Sequence, residues 1–483
     1  MFTKQRLGLL LGPLSFILIQ FIPLSDLSDS GKYVLGTAAW MALWWILESV
    51  NIAITALLPI VLFPLTGALS IADTTSQYGH NLVFLYLGGF IIAIAIERWN
   101  LHRRIALNII SAMGTTINLI ILGFMLSTAL LSMFISNTAT TVMMLPIALA
   151  IIKQLEDNPS TLVDENKEFG KALLLSIAYA ASIGGIATLF GTPPNIVLRG
   201  VVESNFGYTI TFFDWFIIGF PTSILLLFIC WIYMTRKAYN FVGKNFAIGK
   251  AEIASLKSDL GKISTEEKRV GIVFILTAMC WMGRSKLEII LPGIDDTVIA
   301  ITFAILLFII PTKDKKRALI KWSEAVTLPW GVIILFGGGM ALAKGFVESG
   351  LSIWFGNNLT YLQVLPLVLL ILCLVTAVNF LTEMTSNLAT TAMLLPVLAA
   401  LGLQMNIDPL ILMISATMAA SCAFMLPAAT PPNAIVFGAG YLRIPDMVSK
   451  GFWLNIISII LITLMVYFIV PILWDFSIVE FSK

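Results

Sequence analysis

Two polar phrases, each written twice in an otherwise apolar chain, hold the residues able to do chemistry. Residues 136–150 read SNTATTVMMLPIALA, and residues 386–400 read SNLATTAMLLPVLAA. Each is followed downstream by a second phrase, GTPPNIV from Gly191 and ATPPNAIV from Ala429. Hydroxyls and Asn amide N–H groups donate to carboxylate oxygens, whereas hydroxyl, amide and freed carbonyl oxygens suit a hard cation such as Na+. Each Pro withholds an N–H and blocks the carbonyl of the preceding turn, which frees more backbone oxygen. Ser136, Asn137, Thr138, Ser386 and Asn387 therefore read as anion-binding candidates, at tips where helix N-terminal N–H groups carry partial positive charge. No Lys or Arg lies inside either SN core or either TPPN phrase, and Arg199, a turn past Asn195, is the nearest. A dianion is unfavourable in such a place unless cations accompany it, so co-bound cations, about one per half, are expected. Small residues that merely let helices pack closely would explain one phrase alone, but less readily its repetition.

The elements that must position these phrases are membrane helices. The 483 residues are 58% hydrophobic and 12% charged, with a mean hydropathy of +0.95. Soluble domains carry about 25% charged residues, so the composition indicates an integral membrane protein. Apolar runs fall near 7–23, 34–50, 51–68, 82–97, 172–200, 209–235, 270–284, 297–311, 329–345, 409–438 and 452–475. The first could pass for a signal peptide, but no small-residue cleavage site follows it, and it is read as the first span. Runs 118–152 and 362–402 carry the SN phrases in their middles and are better drawn as re-entrant hairpins. The expected fold is thus all-α and polytopic, with about eleven spans plus two hairpins.

LYLGGF at 85–90 and ILFGGG at 334–339 match in the same order as the SN and TPPN phrases, which indicates two homologous halves. An odd number of spans between the hairpins inverts the second half, an arrangement common among secondary transporters. The 236–269 loop carries eight Lys or Arg against four acids, and a second basic cluster runs from Lys313 to Lys321. With Lys4 and Arg6 these place the N-terminus in the cytoplasm of a multi-pass cell-membrane protein. Asp295 and Asp296 then fall on the outer side.

Other polar residues read less sharply. Glu383 is a cation-side or hinge candidate, or equally a hydrogen-bond acceptor for backbone. Glu48 and Lys344 near span ends suit snorkelling or a salt bridge. His102 is expected on a cytoplasmic surface helix. Cys230, Cys280, Cys373 and Cys422 sit in apolar text without metal or disulfide spacing. No nucleophile–base pair, HExxH, P-loop or Rossmann phrase appears, so neither an enzyme nor an ATP-driven pump is indicated.

SNTATTVMMLPIALA, YAASIGGIATLFGTPPNIV at 179–197, TSNLATTAMLLPVLA and ATPPNAIVFG resemble the divalent anion:sodium symporter family, the INDY-type di- and tricarboxylate transporters, along nearly the whole chain. The resemblance implies a homodimer in the lipid bilayer. It implies scaffold regions at 1–110 and 241–355, and transport regions at 111–240 and 356–483 that move as an elevator. It assigns one sodium site to Ser132, Ser136, Asn137 and the Gly191 carbonyl, and a second to Thr382, Thr385, Asn387 and the Ala429 carbonyl. Thr192, Pro193, Thr430 and Pro431 would complete the substrate pocket. The second family motif usually ends in Thr where this chain has Leu388, which removes a donor or wall contact worth about 0.5–1.5 kcal/mol.

The expected function is secondary transport of small dicarboxylates such as succinate, malate, fumarate or 2-oxoglutarate, favoured as sodium symport. The rival is sodium-independent exchange, which would want a fixed positive charge that Lys344 or Arg199 could supply by reaching inward. A passive anion channel is a more distant reading.

Overall fold

A computed structural model describes residues 4–114, 116–153, 165–239, 241, 248–358 and 365–474. Its regular elements are helices, apart from an isolated bridge between Pro311 and Ala318. The chain opens with α1 (Lys4–Phe21) and α2 (Asp29–Ile46). Residues 51–68, expected as one span, form two pieces, α3 (Ile52–Thr55) and α4 (Leu58–Thr66). Pro59 lies in the first turn of α4, where its missing N–H is harmless, so it opens a new helix rather than continuing the old one.

After α5 (Ile71–Ser76), α6 (Asn81–Arg98) and α7 (Leu101–Met113) come α8 (Ile117–Ser132), α9 (Asn137–Lys153), α10 (Glu165–Ile186), α11 (Pro193–Phe206) and α12 (Phe212–Ile232). The second half holds α13 (Ile248–Asp259), α14 (Thr265–Met282), α15 (Arg284–Ile290), α16 (Asp296–Ile309), α17 (Trp322–Ala325), α18 (Trp330–Glu348) and α19 (Leu351–Asn358). It ends with α20 (Leu367–Thr382), α21 (Asn387–Gln404), α22 (Pro409–Ala420), α23 (Pro431–Gly438), α24 (Ile444–Leu464) and α25 (Val470–Leu473). Six helical stretches, including α10, α18 and α21, have the length and hydropathy to cross a bilayer. Others, such as α8, α9, α20 and α22, are apolar but shorter.

The first hairpin folds back on itself. Helices α8 and α9, of 16 and 17 residues, reach only about 25 Å each, short of the ~30 Å hydrocarbon layer. Their far ends lie together. At one end of the bundle Trp231 donates to the Asn118 carbonyl (2.9 Å), and Tyr233 to that of Lys450 (3.0 Å). Close by, Lys171 pairs with Asp446 (3.2 Å), and Gly170 packs against Ile152 at the end of α9. The tip instead meets the other end of α10, where Asn137 lies against Gly185. In the second half α21 runs back along α22 in the same manner, with Gly402 against Pro409 and the hydroxyl of Thr382 linking Asn387 to Ala420.

The expected spans 172–200 and 409–438 are interrupted, at 187–192 and 421–430, between α10 and α11 and between α22 and α23. Helix α10 packs on α23 and α11 on α22, the head-to-tail pairing that an inverted repeat would produce.

His102 departs from its expected surface position. Helix α7 is amphipathic, and His102 lies on its inner face with Leu101, Ala106, Leu107 and Ile110, Nδ1 3.1 Å from the Ile96 carbonyl. The basic pattern of ERWNLHRR concealed this, and even Arg104 is largely covered, paired with buried Glu267 (2.9 Å).

Helix α10 is enclosed on all sides, and its small residues allow neighbours to approach closely. A Cβ on Gly184 would fall 2.4 Å from the Ala129 carbonyl oxygen of α8. Gly184→Ala is therefore expected to destabilise the protein by about 1–3 kcal/mol, read as a lower melting temperature in detergent. An unchanged melting temperature would contradict this close α8–α10 contact.

Candidate functional site

The first SN phrase builds an oxygen cage. Ser132, fully buried at the end of α8, donates to the Ala181 carbonyl (2.8 Å) and adjoins the Asn137 side chain. The Oδ1 position of Asn137 faces Ser132 Oγ and, at 3.1 Å each, the carbonyl oxygens of Ala181 and Gly191. With its nitrogen turned inward, the amide would donate to all three. With its oxygen inward, four oxygens face one another, an arrangement that a small hard cation between them stabilises. Glycines wall this space. A Cβ on Gly185 would lie 2.8 Å from Asn137 Oδ1 and 3.1 Å from the Gly191 oxygen.

The second half repeats the pattern. Thr382 Oγ1 meets Asn387 Oδ1 (2.7 Å) and the Ala420 carbonyl (3.0 Å), as Ser132 meets Asn137 and Ala181. Thr385 does not join this set through its hydroxyl, which bonds to the Leu381 carbonyl (3.0 Å) and to Thr390 (2.6 Å). Ala429 is buried at the end of the 421–430 interruption.

The interruptions are held by residues whose roles were not assigned from sequence. The Asn of each TPPN phrase knits its own loop. Asn195 Nδ2 donates to the carbonyls of Gly185 (3.1 Å) and Thr188 (2.7 Å), and Asn433 Nδ2 to those of Ala423 (3.2 Å) and Leu426 (3.0 Å). Of the readings open for Glu383, hydrogen bonding to backbone is the one seen. Its carboxylate accepts from the N–H groups of Phe424 (2.7 Å), Met425 (2.9 Å) and Leu426 (3.0 Å), and from Asn455 Nδ2 (2.8 Å). Leaving one such buried donor without a partner costs about 1–3 kcal/mol, which explains an acid in this apolar setting. Ala181 and Ala420 were invisible in the sequence, because a carbonyl contribution leaves no side-chain signature. Both TPPN asparagines carried a signal, since the repeat places them in register.

Exposure differs among the candidates. Ser136, Asn137, Ser386, Asn387 and Pro193 are half-buried, and Thr138 and Pro431 are exposed. Ser132, Gly191, Thr382, Thr385 and Ala429 are buried, as are Thr192 and Thr430. The SN tips, with Thr138, Pro193 and Pro431, are therefore reachable, while Thr192 and Thr430 and the candidates assigned to cations alone are buried. Ser136 accepts from the Ala139 N–H (3.2 Å) and so caps α9, while Ser386 caps no N–H of α21. Helix α9 packs on α23 and α11 on α21, so helices that begin at the SN and TPPN phrases of one half pack against those of the other. Their N–H groups suit an anion. Leu388 is only 5% exposed and belongs to the core, whereas its counterpart Thr138 is exposed, so an apolar side chain suits the position.

Both basic residues considered for the rival reading have acidic partners. Arg199 is fully buried and bonded to Asp296 (2.7 Å), and Lys344 pairs with Asp73 (3.2 Å) and Glu348 (3.6 Å).

Gly185→Ala is expected to fill the first cage, raising the Na+ concentration that half-maximally stabilises the purified protein while Thr382 and Asn387 stay intact. An unaltered Na+ dependence would remove Asn137 and Gly191 from any cation site.

The family described as the sodium:sulfate symporter transmembrane region matches residues 4–474. Two curated relatives, from Staphylococcus saprophyticus and Staphylococcus aureus, are each 48% identical over 97% of this chain and 92% of their own length. Both are named sodium-dependent dicarboxylate transporter SdcS. Among solved structures, the fold resembles the Alcanivorax borkumensis YdaH transporter (TM-score 0.57, 13% identity, 82% of this chain and 87% of that one). It also resembles Neisseria gonorrhoeae MtrF (TM-score 0.58, 11% identity, 94% and 98%). At such identities these two bear on fold alone. Matched along almost its whole length, the chain belongs to the sodium:sulfate symporter family, the divalent anion:sodium symporters.

Proposed function

We propose that this protein carries small dicarboxylates across the cell membrane together with sodium ions and releases them chemically unchanged. One observation carries the reading most directly. In each half one hydroxyl meets both the Asn of the SN phrase and a backbone carbonyl, Ser132 with Asn137 and Ala181, and Thr382 with Asn387 and Ala420. Two such sets match two sodium ions, which would neutralise a dianion held by Ser136, Asn137, Thr138, Ser386 and Asn387. Thr192, Pro193, Thr430 and Pro431 border the same pocket. The names of the staphylococcal relatives support the dicarboxylate and the sodium dependence.

The remaining features follow from the family. About eleven crossings and two hairpins form an inverted repeat with a cytoplasmic N-terminus. Regions 1–110 and 241–355 act as the scaffold of a homodimer, and regions 111–240 and 356–483 as the moving transport unit. Sodium-independent exchange is the less favoured alternative, because Arg199 and Lys344 are engaged elsewhere.

Radiolabelled succinate uptake into proteoliposomes tests this, with an inward sodium gradient present or absent and with vesicles empty or preloaded with dicarboxylate. Uptake is expected to need sodium and no preload. Uptake that needs preload and ignores sodium would establish exchange and overturn the proposal.

A further inference from the structure

The two cages are held by different means, and the difference centres on Asp296. Its carboxylate Oδ2 accepts from Arg199 Nη1 (2.7 Å) in the middle of α11 and from the Phe212 N–H (3.2 Å) at the start of α12. Its carbonyl accepts from Trp281 Nε1 (3.1 Å) of α14. The Trp281 ring stacks on Phe190, with centroids 4.3 Å apart, and Phe190 stacks in turn on Phe212 at 5.9 Å. Phe190 directly precedes Gly191, whose carbonyl lines the first cage. One residue at the start of α16 thus fixes both ends of the segment that supplies that carbonyl. It grips Phe190 through Trp281 and grips α11 through Arg199.

Sequence separation hid this arrangement, since Asp296 reads as an outer-loop acid. The second half does without it. Phe437, one turn past Asn433, stands where Arg199 stands in the first half, and the 424–426 backbone is held from within by Glu383 of the neighbouring hairpin.

We infer that Asp296 and Arg199 are positioning residues for the first cation cage alone, so that its sodium affinity depends on α11 remaining tied to α16 through Arg199 and Phe190 remaining stacked on Trp281 of α14. The second cage keeps its geometry whatever α16 does. Given the sodium-coupled transport proposed above, on which this inference rests, the first cage would tighten and loosen as the pocket moves against α16, and the second would not.

The test is a sodium titration read in two ways: thermal stabilisation of the purified protein, and succinate uptake at saturating substrate. Removing a partner that orients metal ligands typically weakens binding ten- to a hundred-fold, so Asp296→Asn should raise the half-saturating sodium concentration by roughly ten-fold. Arg199→Lys, which keeps a donor and a charge, should raise it less than Arg199→Gln. Should Asp296→Asn fail to fold, Trp281→Phe removes the N–H to the Asp296 carbonyl and part of the face stacked on Phe190, and should shift the same value in the same direction. Lower stability with unchanged sodium half-saturation would show a purely structural pair and overturn the inference. A wild-type protein indifferent to sodium would instead overturn the transport reading itself, and this inference with it.

Discussion

Lipid offers no hydrogen bonds, so a helix broken inside a membrane must find partners for every N–H and C=O it frees. The structure depends on meeting that constraint twice, at 187–192 and at 421–430. Part of the demand is met by side chains. Asn195 and Asn433 donate to loop carbonyls, and Glu383 accepts from loop N–H groups. Around Asn137 three oxygens face the side-chain amide, and a cation complements them when the amide oxygen turns inward. On the sodium reading, the cost of breaking the helices becomes the means of binding.

The halves share a plan and differ in how they fasten it. Each pairs a hydroxyl at the end of one hairpin arm with the Asn that begins the other, against a carbonyl of the adjacent broken helix. The first half is walled by Gly185 and Gly191 and anchored from outside through a fully buried ion pair. A pair of that kind contributes little net stability, because desolvation offsets the attraction, but it leaves a large penalty if one partner is lost. It therefore specifies position more than it stabilises. The second half relies on a carboxylate with four donors around it, which fixes its loop locally.

Much of this was legible in the sequence, and what was hidden follows a physical rule. Repeated Ser, Asn, Thr and Pro stand out against apolar text, so the SN tips with Asn137 and Asn387 could be singled out in advance, and the family resemblance pointed to Ser132 and Thr382 beside them. The carbonyl partners Ala181 and Ala420 could not, since backbone groups are supplied by position and not by residue type. Long-range pairs were also concealed. Arg199 and Asp296 are 97 residues apart, and each alone suggests solvent or substrate. His102 illustrates the converse error, because basic neighbours imply a surface although the helix buries one face. Periodicity overcounted continuous spans at 51–68, 172–200 and 409–438, where Pro and small residues break the helix without interrupting hydrophobicity.

The central claim is that cations held in two oxygen cages stand in for a fixed positive charge at the anion site. The most direct measurement is a high-resolution structure with succinate in sodium, compared with one in choline. The expected result in sodium is density enclosed by Ser132, Asn137, Ala181 and Gly191, and again beside Thr382, Asn387 and Ala420, with both Asn oxygens turned inward and the density lost in choline. Succinate bound with Asn137 nitrogen facing those carbonyls, and a lysine or arginine reaching its carboxylates, would contradict it.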